Sequence, residues 1–193
     1  MLEESGRLAK IVDSLLFLSR ADAGKIEIRR ERIDLMELAK ETAGLIAVLA
    51  EDKKQTLAVI GDRPVIVEGD PGLLRQALLN LVDNAIKYSP PGSTIDVCVG
   101  MDANRTASLE VRDNGPGIPA ADLTRIFERF SRADRTHTHH GAGLGLAIAR
   151  WAVEANEGTI TVRSAEGAGS IFVIRLPLAQ TGILGPQSSA ASA

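Results

Sequence analysis

The chain has 193 residues, 22 Lys and Arg against 25 Asp and Glu, one cysteine and three histidines. That length suits one well-cored domain of about 150 residues, with about 40 left for appended elements. A net charge of −3 gives no strong general attraction to nucleic acid or anionic membranes, and the lone Cys98 excludes a disulfide framework or a multi-cysteine zinc site.

Residues 1–20 read as a helix, with Leu8, Ile11, Leu15 and Leu18 at spacings of 3, 4 and 3 and Val12 and Leu16 widening the stripe. No capping residue precedes Leu2, so the helix is expected to belong to a longer element. Glu3, Glu4 and Arg7 break up any secretory leader. After Gly24, the alternation of Ile26 and Ile28 predicts a short strand over Lys25–Arg30.

Asp34 caps a helix running to about Asp52. Its Leu45–Ala50 stretch is the longest apolar run, six residues, far short of a membrane span. Strands are predicted at Thr56–Ile60 and Pro64–Glu68. Asp70-Pro71, a cap followed by a first-turn proline, then opens a helix to about Tyr88. Strands follow at Thr94–Val99 and Ala107–Arg112. A polar loop over about 131–143 leads into a helix ending near Asn156. Strands at Thr159–Ser164 and Ser170–Leu176 complete the fold. This order predicts an α+β sandwich, a mixed sheet with helices on one face.

Three segments carry chemistry. Asn80, Asn84, Lys87 and Tyr88 fall within about 100° of one helical face and border the apolar stripe of Leu74, Ala77, Leu78, Leu81, Val82 and Ala85. Carboxamides at a core edge need partners; an amide oxygen suits a hard cation and a lysine suits a phosphate. Next, Asp113-Asn-Gly115-Pro-Gly117-Ile118 sets a carboxylate at a strand end before a turn. Last, Gly141-Ala-Gly143-Leu144-Gly145 runs into a helix, leaving amides for an anion. It is neither a Walker loop nor a Rossmann fingerprint. Between the last two segments, residues 125–140 carry four arginines against two acids, which suits either a solvated loop or a lid that closes over polyphosphate.

In order and spacing these segments resemble the N, G1, F and G2 boxes of sensor histidine kinases, strongly over residues 70–177 and more loosely over 5–69. Arg7–Gly24 is similar to the second helix of that family's dimerisation bundle. The resemblance implies a two-layer α/β sandwich of the Bergerat, or GHKL, type that binds ATP with Mg²⁺. It divides the chain into a bundle remnant at 1–24, a catalytic domain at 25–178 and a disordered tail at 179–193. It makes Asn84 the Mg²⁺ ligand with Asn80 in support. Lys87 would face the phosphates, Tyr88 would line the adenine pocket, and Asp113 would accept the adenine amino proton. Asn80, Asn84 and Lys87 form the implied catalytic set. Gly115 and Gly117 would let backbone pass close to the base, and Ile118 and Leu144 belong to the same nucleotide contacts. Gly141, Gly143 and Gly145 would hinge the lid and bring amides to the phosphates, with Arg129 and Arg132 as further phosphate contacts.

Hydrolases of this fold are similar to one another in placing a glutamate base four residues before the metal-binding asparagine. Here that position is Asn80, which favours transfer to a protein side chain over hydrolysis. The family's acceptor is a histidine on the first bundle helix, followed by an acidic residue. The histidines of this chain are His137, His139 and His140, in the lid, where an acceptor or a metal patch is less in keeping than plain solvated residues. The fragment is therefore expected to bind ATP without phosphorylating itself. The implied partners are the acceptor helix, a response regulator and a second copy through the bundle, without nucleic acid or direct membrane contact. The implied location is cytoplasmic, with an inner-membrane sensor as parent. The unpaired stripe of the first helix predicts dimerisation, swapping or disorder of residues 1–20. Two other readings of the chain are a nucleotide-binding regulatory module without chemistry and an anti-sigma-type serine kinase.

Overall fold

A computed structural model describes residues 2–102, 106–131 and 142–179 of the chain. Helix α1 (Leu2–Asp22) leads to strand β1 (Glu31–Asp34), helix α2 (Leu35–Asp52), strands β2 (Thr56–Ile60) and β3 (Ile66–Gly69), and helix α3 (Pro71–Tyr88). Strands β4 (Thr94–Met101) and β5 (Ala107–Asp113), helix α4 (Gly145–Ala155), and strands β6 (Thr159–Ser164) and β7 (Ser170–Leu176) follow.

The main sheet has the order β2-β4-β5-β7-β6, with β2 parallel to β4 and every other pairing antiparallel. Period-2 alternation puts Ile95, Val97 and Val99 of β4 and Leu109 and Val111 of β5 on one buried face. Against that face α3 lays Leu74, Ala77, Leu78, Leu81, Val82 and Ala85, all buried, with α2 and α4 on its flanks. The predicted α+β sandwich with helices on one face is thus present. Strands β1 and β3 form a separate antiparallel pair, and Leu35 N–H donates to the Val65 carbonyl at 2.9 Å, joining that pair to the start of α2.

Helix starts follow their capping residues. Asp34 accepts the Met36 N–H at 2.9 Å, and Asp70 accepts the Leu73 N–H at 3.0 Å ahead of Pro71. The buried Asn156 side chain, just past α4, accepts the Asp70 N–H at 2.6 Å and donates to the Ala152 carbonyl at 2.7 Å. One side chain therefore fixes the end of α4 against the start of α3.

Three local expectations change. The stretch Lys25–Arg30 is not a strand: Ile28 is exposed and no neighbour pairs there, so pairing begins only at Glu31. Strand β3 starts at Ile66 rather than Pro64, which has no N–H to contribute to a ladder. Leu178 bridges to Val67 and Ala179 N–H donates to the Ile66 carbonyl at 3.0 Å, so backbone pairing runs one residue past the expected boundary at 178.

Helix α1 is formed, with Leu8, Val12, Leu15 and Leu16 exposed along its length. Its last turns are docked. Leu18 is 2% exposed against Leu144 and Ile148, and Phe17 meets Trp151 edge to face at 5.2 Å between ring centroids. Leu18, counted from sequence among the residues lacking partners, finds them within the chain. No described helix is long and apolar enough to cross a membrane.

Candidate functional site

Helix α3 forms the floor of the site. Because its apolar stripe is buried under the sheet and α4, the adjoining arc of Asn80, Asn84, Lys87 and Tyr88 lies at the margin of the core. Asn80 is half-buried, and its Nδ2 is fully enclosed without a hydrogen-bond partner among the described residues. An enclosed donor of this kind costs free energy until an acceptor reaches it. Asn84, one turn on, is half-buried, and nothing among the described residues hydrogen-bonds its carboxamide. Lys87 is not open to solvent alone: it forms an ion pair with Asp83, one turn back. Tyr88, at the end of the helix, is partly exposed.

The start of α4 and the loop after β5 meet this helix two turns apart. A methyl group placed on Gly145 would stand 3.5 Å from Asn80 Oδ1, and one placed on Gly115 would stand 3.3 Å from the Tyr88 carbonyl. Eight residues of helix separate the two contacts, about 12 Å at the usual rise. Asn84 and Lys87 lie between them. The start of α4 and the loop after β5 thus approach opposite ends of the face of α3 that carries Asn80, Asn84, Lys87 and Tyr88.

At the Tyr88 end, Asp113 terminates β5 and is 9% exposed. Burial pushes its carboxyl above the ordinary aspartate range, opposed by hydrogen bonds from Gly115 and from the backbone and side chain of Ser170. The Gly115 N–H donates at 2.8 Å. Gly117 has φ +73°, and a Cβ there would collide with the Ala165 carbonyl, so any other residue would push the loop off the β6–β7 turn. Ile118 N–H donates to Ser164 Oγ at 2.9 Å, and Gly167 N–H donates to the Pro116 carbonyl at 2.7 Å. The loop is therefore pinned from both sides of that turn.

At the Asn80 end, Gly143 has φ +69° and would place a Cβ 2.7 Å from the Ser131 carbonyl. Its own carbonyl accepts the Phe130 N–H at 2.9 Å. Leu144 is buried beneath α1 and precedes α4 with no side-chain cap, unlike the aspartates ahead of α2 and α3. First-turn amides of a helix that lacks a cap are open to an anion.

The arginine expected at the phosphates is engaged elsewhere. Arg129 donates to Asp22 at the end of α1 at 2.6 Å, and this hydrogen bond holds the Asp22 carboxyl below its usual range. Arg132, Gly141 and the histidines at 137, 139 and 140 lie outside the described residues. Hollows of about 490 and 440 Å³ flank α1, the second shared with α4, and Asn80, Asn84 and Asp113 line neither. They mark the incomplete seating of α1 rather than the cleft.

Residues 69–180 match the family described as histidine kinase-, DNA gyrase B- and HSP90-like ATPases. The chain belongs to that family. Within it, this ATPase domain is similar to sensor histidine kinases. It is 39% identical over 181 residues to the sensor histidine kinase CusS of Escherichia coli K12, and 37% identical over 177 residues to the probable sensor histidine kinase TcrY of Mycobacterium tuberculosis. In both cases the match covers 91% of the chain and 36% of the relative, so the chain spans about a third of their length. Among solved structures it resembles full-length ShkA in complex with AMPPNP, with a TM-score of 0.82, 31% identity, 93% of this chain covered and 38% of that one. It also resembles the mycobacterial sensor histidine kinase MprB, with a TM-score of 0.67, 32% identity, 78% of this chain covered and 98% of that one.

Several residues of this ATPase site carry no motif of their own. Ser170, on the neighbouring strand β7, and Ser164, at the end of β6, support Asp113 and the loop after it from residues about 50 positions further along the chain. Asp83 was legible, since a carboxylate four residues before a lysine on a helix signals an ion pair.

Proposed function

We propose that this chain is the ATP-binding catalytic portion of a sensor histidine kinase, directing the γ-phosphoryl group of ATP to a histidine on a segment outside this sequence. Relay to a response-regulator aspartate would follow. The observation that carries the reading is the pairing of the uncapped start of α4 with the unpartnered Asn80 amide across the cleft. Both are donors awaiting an acceptor, and phosphate oxygens supply acceptors in number.

The adenine would enter beside Tyr88 and meet Asp113. A carboxylate fixed by Gly115 and Ser170 accepts a hydrogen bond from an exocyclic amine without having to reorganise. Gly115 keeps side-chain bulk away from Asp113 and Tyr88, Gly117 lets the loop close on the β6–β7 turn, and Ile118 is packed against the core beside them. The phosphates would run toward Gly143 and Gly145, with Lys87 oriented by Asp83 so that its charge lies along their path. Arg129 would contribute only after leaving Asp22.

Mg²⁺ fits the residues present in a limited sense. No group of three His, Cys, Asp or Glu able to hold a metal occurs among the described residues, so the protein offers no dedicated cage. Asn84 offers one uncommitted amide oxygen, which suits an ion that keeps its waters and arrives with the nucleotide. When bound, the ion neutralises charge on the transferred phosphoryl group. The residues of the chain then serve by positioning. Asn80 occupies the place of a hydrolytic base but cannot take a proton from water, which favours transfer over hydrolysis.

Association with a second copy through α1 and an inner-membrane parent belong to the same proposal. The test is to supply an acceptor helical bundle in trans with γ-labelled ATP. Label on the acceptor histidine and none on this chain is expected. Label on this chain alone would overturn the reading.

A further inference from the structure

Helix α3 ends without the usual closure. Its C-cap Ser89 has φ −77° and ψ 145°, an extended conformation rather than the left-handed one that folds N–H groups back onto the last carbonyls. The carbonyls of the final turn therefore need donors from elsewhere. They receive them from two side chains at the α2–β2 turn. Lys53 Nζ donates to the Ile86 carbonyl at 2.7 Å and the Lys87 carbonyl at 2.8 Å, with the Ser89 carbonyl at 3.5 Å. Gln55 Nε2, on a side chain 6% exposed, reaches the carbonyls of Ile86, Ser89 and Pro90 at 3.2, 3.0 and 3.2 Å.

The geometry around these two residues is specific. Lys54, between them, has φ +55°. The Lys53 carbonyl in turn accepts the Gly92 N–H at 3.1 Å, so backbone and side chain of one residue hold both ends of the turn after α3. Gln55 leaves its Oε1 buried without a partner among the described residues. That cost is borne by an amide whose N–H groups alone are engaged. The ammonium of Lys53 also sits at the negative end of the α3 dipole. The backbone so gripped, Ile86 to Pro90, includes Lys87 and Tyr88, and the Tyr88 carbonyl is the group on which Gly115 rests.

We infer that Lys53 and Gln55 are positioning residues for the nucleotide site, setting the last turn of α3 so that Lys87 and Tyr88 face the cleft and Gly115 seats against it. The inference rests on the nucleotide reading proposed above. It predicts that Lys53→Met weakens ATP about tenfold, the scale of one lost charge-assisted hydrogen bond. Lys53→Arg keeps the charge at the helix end and restores most of that loss.

The chain has one tyrosine and one tryptophan, which makes the test clean. Fluorotyrosine labelling gives a single ¹⁹F resonance from Tyr88, and Trp151 emission reports the folded state. ATP is titrated calorimetrically into wild type, Lys53→Met, Lys53→Arg, Gln55→Leu and Asn84→Ala. A folded Lys53→Met protein with a shifted or broadened Tyr88 signal, weakened binding and rescue by arginine supports the inference. Wild-type affinity with an unchanged Tyr88 signal overturns it, as does weakened binding that arginine does not rescue. Should Lys53→Met fail to fold, Gln55→Leu decides by the same two readouts: a moved Tyr88 signal with weaker binding supports the inference, and unchanged values overturn it. Absence of ATP binding in the wild type would instead remove the nucleotide reading itself, whereas indifference of binding in Mg²⁺ to Asn84→Ala would remove only the assignment of the metal to Asn84.

Discussion

The Asp113 carboxylate accepts the Gly115 N–H at 2.8 Å, so the group that faces the cleft also shapes the loop beside it. Burial keeps that carboxyl above the ordinary aspartate range. With a raised folded-state pKa, the folded protein holds the proton more tightly than the unfolded chain. The cost to stability is complete above the folded pKa and disappears as pH falls below the unfolded one. Asp113→Asn should therefore be more stable than wild type at pH 7, with the two converging as pH drops to the ordinary aspartate value. The Asn oxygen can still accept from Gly115. Its NH₂, however, would meet the adenine amine donor to donor, and ATP affinity should fall about a hundredfold. Urea unfolding at pH 7 and below pH 4, beside calorimetric titration of ATP, checks both halves.

Asn84→Ala removes an amide oxygen that no described residue hydrogen-bonds. ATP affinity in the presence of Mg²⁺ should fall about tenfold or more, while affinity in excess EDTA should change little. Equal losses under both conditions would count against the metal assignment and point to a direct contact with the nucleotide.

Leu18→Asp places a charge in the small cluster with Leu144 and Ile148. Helix α1 should undock at its C-terminal end, because the flanking pair Arg129–Asp22 is exposed and cannot hold it. Hydrogen exchange should rise over residues 14–22 and 144–148, while the unfolding midpoint of the sheet domain stays near wild type. Protection that remains unchanged in both segments would refute the docking.

Asn156→Leu leaves the Asp70 N–H and the Ala152 carbonyl without their partner in a buried setting. The expected loss is about 3 kcal/mol, one unsatisfied backbone group at each end. A urea midpoint lower by the corresponding amount, with unchanged slope, is the predicted result.

The elements themselves were largely readable. Asp70-Pro71 and Asp34 announced their helices through capping chemistry, period-2 alternation gave β5 to within a residue, and β7 has the bounds expected of it. Lys25–Arg30 misled because two alternating isoleucines carry no information about whether a partner strand exists. The convergence of Asn80, Asn84, Asp113 and Gly145 was legible through box order. Their supports were not. Ser170 under Asp113, Asn156 under Asp70 and Lys53 under Ile86 are contacts between residues 33 to 86 positions apart, or further along the sheet, and such pairings leave no local periodicity. The pairing of Arg129 with Asp22 likewise depends on how α1 seats, which composition alone does not determine.

Strand β7 lies in the interior of the sheet, between β5 and β6, and its first residue, Ser170, is the register partner of Asp113. A chain still emerging from the ribosome consequently lacks both the neighbour that completes β5 and the hydrogen bonds that fix Asp113 until β7 itself has been made. ATP, however abundant around the nascent chain, has no finished cleft to select from the earlier intermediates. A product that stops short of residue 170 should therefore be degraded as unfolded rather than survive as a weak ATP binder.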